Sequence, residues 1–257
     1  MKRMTTKTFV QKKGLEKLAL VTAYDAIFAK IADSAGVDAI LVGDSVGNTF
    51  MGFENTLPVT MDDMLHHVSM VARAKPRALV IADVPFAIAH YSFDTLLREC
   101  AKFIQAGADA IKLESAKNLG EKISGLTNAG IPVMGHIGLM PQQLLKLGAY
   151  KTFGKTAEEQ AELVRAAKAL EEAGAFAVVI EKTAPEAAAL VTKSISIPTI
   201  GIGAGKDCDG QILVSTDILG LGDWIPPFAK KYCELAAISQ KAFADYVEEV
   251  RASKFPQ

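Results

Sequence analysis

Acidic side chains close several apolar runs of this sequence, in positions suited to metal and acid–base chemistry. They are Asp44, Asp83, Glu114 and Glu181. In a parallel barrel, polar groups at the carboxyl ends of the strands converge on one open end, here called the mouth. Three neighbouring carboxylates repel one another unless a cation offsets their charge, and oxygen donors without a His or Cys cluster favour Mg²⁺ over Zn²⁺. We therefore predict a Mg²⁺ site at the first three, although any one of them alone also suits a helix N-cap.

Lys112 and Glu181 are the candidates for substrate contact and proton transfer. Lys112 stands two residues before Glu114, so the period of a strand points both side chains to one face. A lysine inside an apolar run is costly unless it is paired or binds an anion, which leaves a substrate contact and an internal bridge to a carboxylate as alternatives. Glu181 lies apart from the other acids and suits a general base beside the substrate. Its alternative is an acid at a helix N-terminus.

Two further groups at strand ends admit two interpretations each. His136 is either an acid–base or orienting group, or a histidine satisfied beneath the following loop. The run 201–205 (Gly-Ile-Gly-Ala-Gly) resembles a phosphate cradle at the seventh strand–helix turn, but glycines also permit tight turns. His66 and His67 follow a helical pattern with several methionines and are predicted to pack rather than to bind a metal.

A recurring phrase indicates how the chain positions these groups. Ala35-Gly36, Ala106-Gly107 and Ala173-Gly174 each precede an apolar run, and each glycine suits the position after a helix, where a positive φ is needed. Apolar runs of this length predict buried strands. Eight such runs cover about residues 18–23, 38–43, 78–83, 109–114, 131–136, 176–181, 197–202 and 211–216.

The segments between the runs are mostly helical in period. Thr156 with Glu159, and Thr183 with Glu186, have the spacing of a capping box. Strands and helices that alternate eight times predict a parallel sheet closed into a single (βα)₈ TIM barrel over residues 1–257, with an N-terminal helix. The alternative is an open doubly wound sheet, for which the first unit lacks a strand-linked G-x-G-x-x-G.

Long connections and composition agree with a barrel enzyme. The segments 44–59 and 137–155 both follow strands, and long loops after strands belong to the mouth, where chemistry occurs. The 28 Lys and Arg against 29 Asp and Glu give a net charge of −1. This provides no excess of positive charge for binding nucleic acid or an anionic membrane. The hydrophobic content of 50% predicts a large core, with an oligomer interface as a second contribution.

Cysteine usage and the N-terminus predict a reduced, intracellular protein. Three separated cysteines form no C-x-x-C pair, which is typical of a reduced compartment rather than of a disulfide or zinc framework. The basic segment 1–17 has no apolar core of a secretory signal. We predict an amphipathic helix there, with a transit peptide as the alternative.

Several blocks of the sequence resemble those of one enzyme family, the 3-methyl-2-oxobutanoate (ketopantoate) hydroxymethyltransferases. The resemblance covers about residues 5–256, and its blocks follow in the order and spacing of that family. They are Thr22-Ala23-Tyr24-Asp25, Val42-Gly43-Asp44-Ser45-Val46-Gly47, Thr56-Leu57-Pro58-Val59-Thr60, Gly135-His136-Ile137-Gly138-Leu139-Met140-Pro141-Gln142, and Gly201-Ile202-Gly203-Ala204-Gly205 followed by Asp209-Gly210-Gln211-Ile212-Leu213-Val214.

The resemblance implies a barrel of the phosphoenolpyruvate/pyruvate superfamily that transfers a hydroxymethyl group in pantothenate biosynthesis. It implies 3-methyl-2-oxobutanoate and 5,10-methylenetetrahydrofolate as substrates, 2-dehydropantoate and tetrahydrofolate as products, Mg²⁺ as cofactor, and a cytoplasmic homo-oligomer, typically a decamer. Carried over by position, Asp44 and Asp83 match Mg²⁺ ligands that also line the keto acid, and Glu114 matches a third acid at the metal. Ser45 and Lys112 match substrate contacts, and Glu181 matches the proton acceptor.

One departure from the family pattern lies beside the predicted metal site. Ser115 and Ala116 follow Glu114 where the family commonly has two glycines, and their added side chains could alter access to the metal.

Two rival functions are a Mg²⁺-dependent carbon–carbon lyase of the isocitrate lyase group and a barrel without activity. The lyases tend to carry a reactive Cys in a mouth loop, whereas Cys100 falls in a predicted helix, and a silent barrel would be expected to lack the acids.

Overall fold

Eight parallel strands form a closed barrel in which each strand pairs with the next along the chain. This is a computed structural model, and it describes residues 2–114, 119–222 and 224–256. The strands are β1 (Leu18–Thr22), β2 (Ala39–Val42), β3 (Leu79–Asp83), β4 (Ala110–Lys112), β5 (Val133–Gly138), β6 (Ala177–Glu181), β7 (Thr199–Ile202) and β8 (Gly210–Leu213). The barrel and its eight predicted strands are therefore confirmed. The predicted departure at Ser115 and Ala116 lies outside the described residues.

The helices alternate with most of the strands, and the predicted N-terminal helix is present. They are α1 (Thr6–Gln11), α2 (Ala26–Ser34), α3 (Val46–Thr49), α4 (Met61–Arg73), α5 (Phe93–Gln105), α6 (Gly120–Asn128), α7 (Leu144–Leu147), α8 (Ala157–Glu172), α9 (Pro185–Ser194), α10 (Ser215–Leu219) and α11 (Leu235–Arg251). The two long loops of the mouth thus carry the short helices α3 and α7. No helix in the described parts of the chain is long and apolar enough to cross a membrane.

The recurring Ala-Gly phrase ends three helices as predicted. Gly36, Gly107 and Gly174 follow α2, α5 and α8 with φ of +89°, +105° and +91°. A residue with a Cβ is strained in this region of φ, so glycine lets the chain leave each helix and enter the next strand within a few residues. These short connections lie at the end of the barrel opposite the mouth.

Of the two predicted capping boxes, one is formed only by its threonine and the other is wrong. The Thr156 hydroxyl accepts a hydrogen bond from the Glu159 backbone N–H and caps α8. The Glu159 carboxylate accepts a hydrogen bond from the Lys155 backbone N–H. Thr183 does not cap α9, which begins after Ala184 with Pro185 in its first turn. The Thr183 hydroxyl donates instead to the Glu181 carbonyl oxygen at 2.9 Å. This threonine therefore holds the end of β6 in place rather than the start of a helix.

The prediction of a helix after every strand is wrong between β7 and β8. The described connection 203–209 contains no helix, because Gly203 and Gly205 turn the chain with φ of +60° and +79°. The Asp209 carboxylate then accepts hydrogen bonds from the Thr199 backbone N–H and hydroxyl at 2.9 and 3.0 Å, which joins the two strands directly. The glycine run thus serves a tight turn.

The chain divides into two compact units, Met1–Ile212 and Leu213–Gln257. In the first unit, one apolar layer fills the barrel and a second lies between the strands and the surrounding helices. The second unit contains α10 and α11. The single domain over 1–257 stays a prediction. All three cysteines are free, and Cys100 lies in α5 as predicted.

Candidate active site

The inner face of the barrel ends in a layer of ionisable side chains at the mouth. Ile81, Ala110, Met134 and Val179 belong to the apolar filling of the barrel. Because a strand has a period of two, the residues two positions further on point to the same interior. These residues are Asp83, Lys112, His136 and Glu181. Strand pairing thus brings together groups from four different strands.

Lys112 is the centre of a buried cluster of charges. Its Nζ lies 2.9 Å from both carboxylate oxygens of Asp83 and 3.5 Å from Glu114 Oε1. Asp83 and Lys112 are partners in the register of β3 and β4, so strand pairing itself places the ammonium beside the carboxylate. We name Asp44, Asp83, Lys112 and Glu114 the acid cluster. The internal lysine–carboxylate bridge, one of the two alternatives for Lys112, is therefore present, and the substrate contact stays a prediction.

Gln142 completes the acid cluster and was missed by sequence reasoning. Its side-chain Nε2 donates to Asp44 Oδ2 at 2.9 Å and to the Val84 carbonyl oxygen at 3.0 Å, and its backbone N–H donates to Glu114 Oε2 at 3.0 Å. It thereby holds two acids that come from different strand ends. An amide carries no charge signal in a sequence, and only its place in the long loop after β5 could have drawn attention to it.

The protein environment shifts the pKa values of the three acids in different directions. Burial, followed by the charges of Asp83 and Glu114, raises the pKa of Asp44 well above its usual value. Burial also raises the pKa of Asp83, although the Lys112 charge opposes this. Burial acts in the same upward direction on Glu114, but Lys112 and His136 outweigh it and lower the pKa of Glu114. The Lys112 ammonium lies closest to Asp83, and a further cation beside Asp44 would offset the repulsion from its two neighbouring carboxylates.

His136 lies between the acid cluster and the candidate base. Its Nδ1 is 3.4 Å from Glu114 Oε1, and its Nε2 is 3.4 Å from Glu181 Oε2. Burial and the Lys112 charge lower the pKa of His136, but Glu114 and Glu181 outweigh them and raise it to about 9. Neither ring nitrogen makes a hydrogen bond of good geometry with the described residues. This placement favours the acid–base or orienting interpretation over that of a histidine satisfied beneath the loop.

The Glu181 side chain is partly exposed at the mouth, whereas the acid cluster is buried. The Glu181 side chain is 18% exposed, against 2–3% for Asp83 and Glu114. Its backbone carbonyl oxygen accepts hydrogen bonds from the Leu139 N–H and the Thr183 hydroxyl, both at 2.9 Å. The geometry thus gives a fixed backbone and an accessible carboxylate, as a general base requires.

Gly138 makes the close approach between β5 and the end of β6 possible. It has a φ of +87°, and a Cβ at this position would overlap the Glu181 carbonyl oxygen and the Thr183 hydroxyl.

We expect Gly138→Ala to lower the free energy of unfolding by about 3 kcal/mol or more, because backbone strain and a clash with fixed atoms add. Denaturant unfolding measures the loss. Gly130 is the matched control, because it has a φ of +88° and a Cβ there would meet no described atom within 4 Å. Gly130→Ala should cost only about 1–2 kcal/mol, and equal losses for the two variants would contradict the assignment.

Ser45 lies directly after Asp44, where a buried tyrosine holds its hydroxyl. The Tyr24 phenol oxygen is 2.8 Å from Ser45 Oγ, and the Tyr24 carbonyl oxygen contacts His67 Nδ1 at 2.7 Å. His67 also meets the Tyr24 ring edge-on, with 6.3 Å between the ring centroids, and the packing role of His66 and His67 stays a prediction. The substrate contact predicted for Ser45 stays a prediction, and Tyr24 is a supporting residue to which sequence reasoning gave no role.

The acid cluster has the oxygen donors that a hard cation prefers, but they are not arranged as a preformed metal site. Within residues 2–114, 119–222 and 224–256, no three His, Cys, Asp or Glu side chains are arranged to hold a metal ion. The donors are nevertheless all oxygens of three buried carboxylates, two of which contact the Lys112 ammonium. Because Mg²⁺ commonly takes one or two protein carboxylates and completes its shell with substrate and water, Asp44 and Asp83 fit such an ion.

Solved structures of other proteins share this barrel. A phosphonopyruvate hydrolase in complex with oxalate and Mg²⁺ superposes with a TM-score of 0.64 at 17% identity, covering 98% of this chain and 88% of that chain. A 2,3-dimethylmalate lyase, a member of the PEP mutase/isocitrate lyase superfamily, superposes with a TM-score of 0.61 at 18% identity, covering 98% and 90%. The fold is therefore the barrel found in the PEP mutase/isocitrate lyase superfamily.

Sequence relatives define the family within that fold. The family described as ketopantoate hydroxymethyltransferase matches residues 3–257. A Caldivirga maquilingensis protein is 50% identical and a Pyrobaculum calidifontis protein 51% identical, each over 255 residues that cover 99% of this chain and 96% of the relative. Both are named 3-methyl-2-oxobutanoate hydroxymethyltransferase. The chain belongs to the ketopantoate hydroxymethyltransferase family, and it is an enzyme of the hydroxymethyltransferase class.

Proposed function

We propose that this enzyme transfers a hydroxymethyl group from 5,10-methylenetetrahydrofolate to 3-methyl-2-oxobutanoate, in a Mg²⁺-dependent reaction that gives 2-dehydropantoate for pantothenate biosynthesis. One observation carries the proposal: His136 lies between the buried acid cluster and the accessible Glu181 carboxylate, 3.4 Å from Glu114 and 3.4 Å from Glu181. A site of this kind can bind a 2-oxo acid by its two oxygens and remove a proton from the neighbouring carbon. Membership of the family supports the same reaction.

Asp44 and Asp83 would hold the Mg²⁺ ion, with Glu114 as the third acid beside it. When bound, Mg²⁺ supplies a Lewis acid for the keto group of the substrate. Lys112 and Ser45 contact the keto acid, and Asp44 and Asp83 line its site. Lys112 also favours the negative charge that develops on the substrate, because an oriented cation in a dry site stabilises such charge without rearrangement.

Glu181 is the residue that removes the C3 proton of the keto acid. His136 orients the Glu181 carboxylate, since its Nε2 lies 3.4 Å from Oε2. Water cleaves the methylene group from the folate nitrogens as formaldehyde, and tetrahydrofolate leaves. The enolate carbon then attacks the formaldehyde carbon, and the resulting alkoxide takes up the proton held by Glu181, which gives the hydroxymethyl group. Burial raises the pKa of Cys100 to about 12, so this thiol is no reactive nucleophile. That argues against the rival lyase, and the presence of all four acids argues against a silent barrel.

The half-reaction gives a direct test of this function. Purified enzyme with Mg²⁺ and 3-methyl-2-oxobutanoate in deuterated water should exchange the C3 proton without any folate, as followed by loss of the C3 proton signal in NMR. Addition of 5,10-methylenetetrahydrofolate should then give 2-dehydropantoate. A protein that neither exchanges the proton nor forms this product would sink the proposal.

Mg²⁺ should also stabilise the folded protein in the absence of substrate. We expect saturating Mg²⁺ to raise the Tm by about 5 °C over KCl of equal ionic strength, since a ligand at a hundredfold its Kd contributes about 2.7 kcal/mol. Asp44→Asn should abolish this shift, whereas Asp62→Asn, on the exposed first turn of α4, should keep it. Thermal unfolding with and without EDTA measures both. Retention of the full shift by Asp44→Asn would exclude Asp44 as a ligand.

Four further features belong to this proposal. We propose one barrel domain over residues 1–257, a cytoplasmic location, a homo-oligomer that is a decamer as in the family, and no nucleic-acid or membrane partner. The net charge of −1 supports the absence of a nucleic-acid or membrane partner. The high apolar content supports the presence of subunit interfaces. Sedimentation of the purified protein tests the oligomer.

A further inference from the structure

Part of the long loop after β5 is fastened to the residues that follow Glu181. The Phe153 N–H donates to the Lys182 carbonyl oxygen at 3.0 Å, and the Ala184 N–H donates to the Phe153 carbonyl oxygen at 2.8 Å. Phe153 thereby forms a parallel bridge with Thr183. Gly154, with a φ of +78°, then turns the chain against Ala187. The loop is consequently held beside the candidate base.

This bridge places an exposed aromatic ring and a lysine together beside the candidate base. The Tyr150 side chain is 50% exposed, and Lys182 Nζ lies 5.8 Å from its ring centroid. Lys182 has a left-handed backbone with a φ of +42°, which is uncommon outside glycine and clusters at functional sites. Burial first, and then the charges of Glu181, Glu114 and Asp44, raise the pKa of Tyr150. Tyr150 thus lies next to the lysine that directly follows Glu181.

A folate brings chemical demands that the acid cluster does not meet. It combines flat aromatic rings with a tail of carboxylates, and it must bring its one-carbon unit to the keto acid beside Glu181. Four carboxylates at the mouth repel such an anion, and Lys112 is already engaged by Asp83 at 2.9 Å. An aromatic surface and a further cation close to Glu181 would suit such a molecule, and the loop bridge supplies both.

We propose that Tyr150 and Lys182 form the contact site for the folate co-substrate. The Tyr150 ring packs on the flat part of the folate, and Lys182 binds a carboxylate of its tail. This inference rests on the proposed function, because it assigns a place to the second substrate of that reaction. It separates the site into two parts, with the keto acid at the acid cluster and the folate at the rim beside the base.

The two half-reactions allow a sharp test. Tyr150→Ala should raise the KM for 5,10-methylenetetrahydrofolate about tenfold, as expected for loss of one aromatic stacking contact, while folate-independent C3 exchange changes less than twofold. Tyr150→Phe should restore the folate KM. The matched control is Tyr232→Ala, because Tyr232 forms a second lysine–tyrosine pair with Lys230 Nζ at 4.9 Å from its ring, and its folate KM should not change.

Lys182 is tested by shortening the tail of the donor. Lys182→Met should raise the KM for the glutamyl donor, and this rise should shrink with 5,10-methylenetetrahydropteroate, which lacks the glutamyl carboxylates. The assignment would be overturned if Tyr150→Ala left the folate KM unchanged, or if it lowered the rate of C3 exchange as much as it raised the folate KM. Either result would leave the proposed function intact, provided that the wild-type enzyme carries out both reactions. A wild-type enzyme without exchange and without turnover would instead refute the proposed function itself.

Discussion

Replacing Glu181 by Gln is expected to reduce folate-independent C3 exchange by at least about a thousandfold, within the range that a positioned general base contributes. The Gln side chain has nearly the same shape, and its oxygen can face His136 Nε2 as Glu181 Oε2 does at 3.4 Å. The acid cluster keeps all its members in this variant. Binding of 3-methyl-2-oxobutanoate, measured by titration calorimetry, should therefore change less than about threefold.

A matched variant and a clear contrary outcome accompany this prediction. Glu186→Gln changes an exposed acid in the first turn of α9, five residues along the chain, and should leave exchange and turnover as they are. Exchange that persists at the wild-type rate in Glu181→Gln would show that another group removes the proton. His136 would then be the next group to examine, since it is the ionisable neighbour of Glu181 at 3.4 Å.

Replacing Lys112 by Met is expected to lower the free energy of unfolding by about 3–5 kcal/mol in metal-free protein at pH 8, because a buried ion pair that loses one partner leaves an uncompensated charge. Lys112 is 4% exposed, and three carboxylates surround it. Turnover should fall with stability, since the residue also contacts the keto acid in the proposed reaction. Urea unfolding in EDTA measures the stability.

The pH dependence of this loss has a definite sign. Burial, opposed by Lys112, raises the pKa of Asp83, and removal of the lysine should raise it further. An acid with a raised pKa in the folded state contributes stability below its unfolded pKa and loses it as the pH rises through the folded value. The penalty in Lys112→Met should therefore be smaller at pH 5 than at pH 8. Lys102→Met, which removes a surface pair with Glu99 at 2.8 Å, should cost no more than about 1 kcal/mol. A loss in Lys112→Met that is equally small, or independent of pH, would contradict the buried-pair argument.

The strands and the acids were predictable from the sequence for a physical reason. Strands of a parallel barrel are buried on both faces, so they read as continuous apolar runs, and a charged residue that closes such a run is easily seen. Asp83, Lys112 and Glu181 each lie at the last position of a strand, where only their polarity distinguishes them. The contact between Asp83 and Lys112 follows from the register of β3 with β4.

The remaining features depend on specific side-chain hydrogen bonds. Gln142 has no charge to mark it, and it reaches Asp44 from a loop 98 positions away. The turn between β7 and β8 replaces a helix because Asp209 bonds to Thr199, which no local pattern indicates. Thr183 has the spacing of a helix cap but bonds to the Glu181 carbonyl oxygen instead. Only the Gln142 contact is distant in sequence, but in the other two cases a specific side-chain hydrogen bond replaces the helix or cap that local spacing predicts.

The pairing of Asp83 with Lys112 across β3 and β4 also bears on how the barrel folds. Runs that are apolar on both faces specify strand register weakly, because a slip by one residue still buries apolar side chains. Here such a slip would turn the Lys112 ammonium into the apolar layer beneath the helices and leave Asp83 and Glu114 without it. Misaligned barrels are thus disfavoured by charge as well as by packing, and the correct alignment of these two strands and the assembly of the reactive centre become one event.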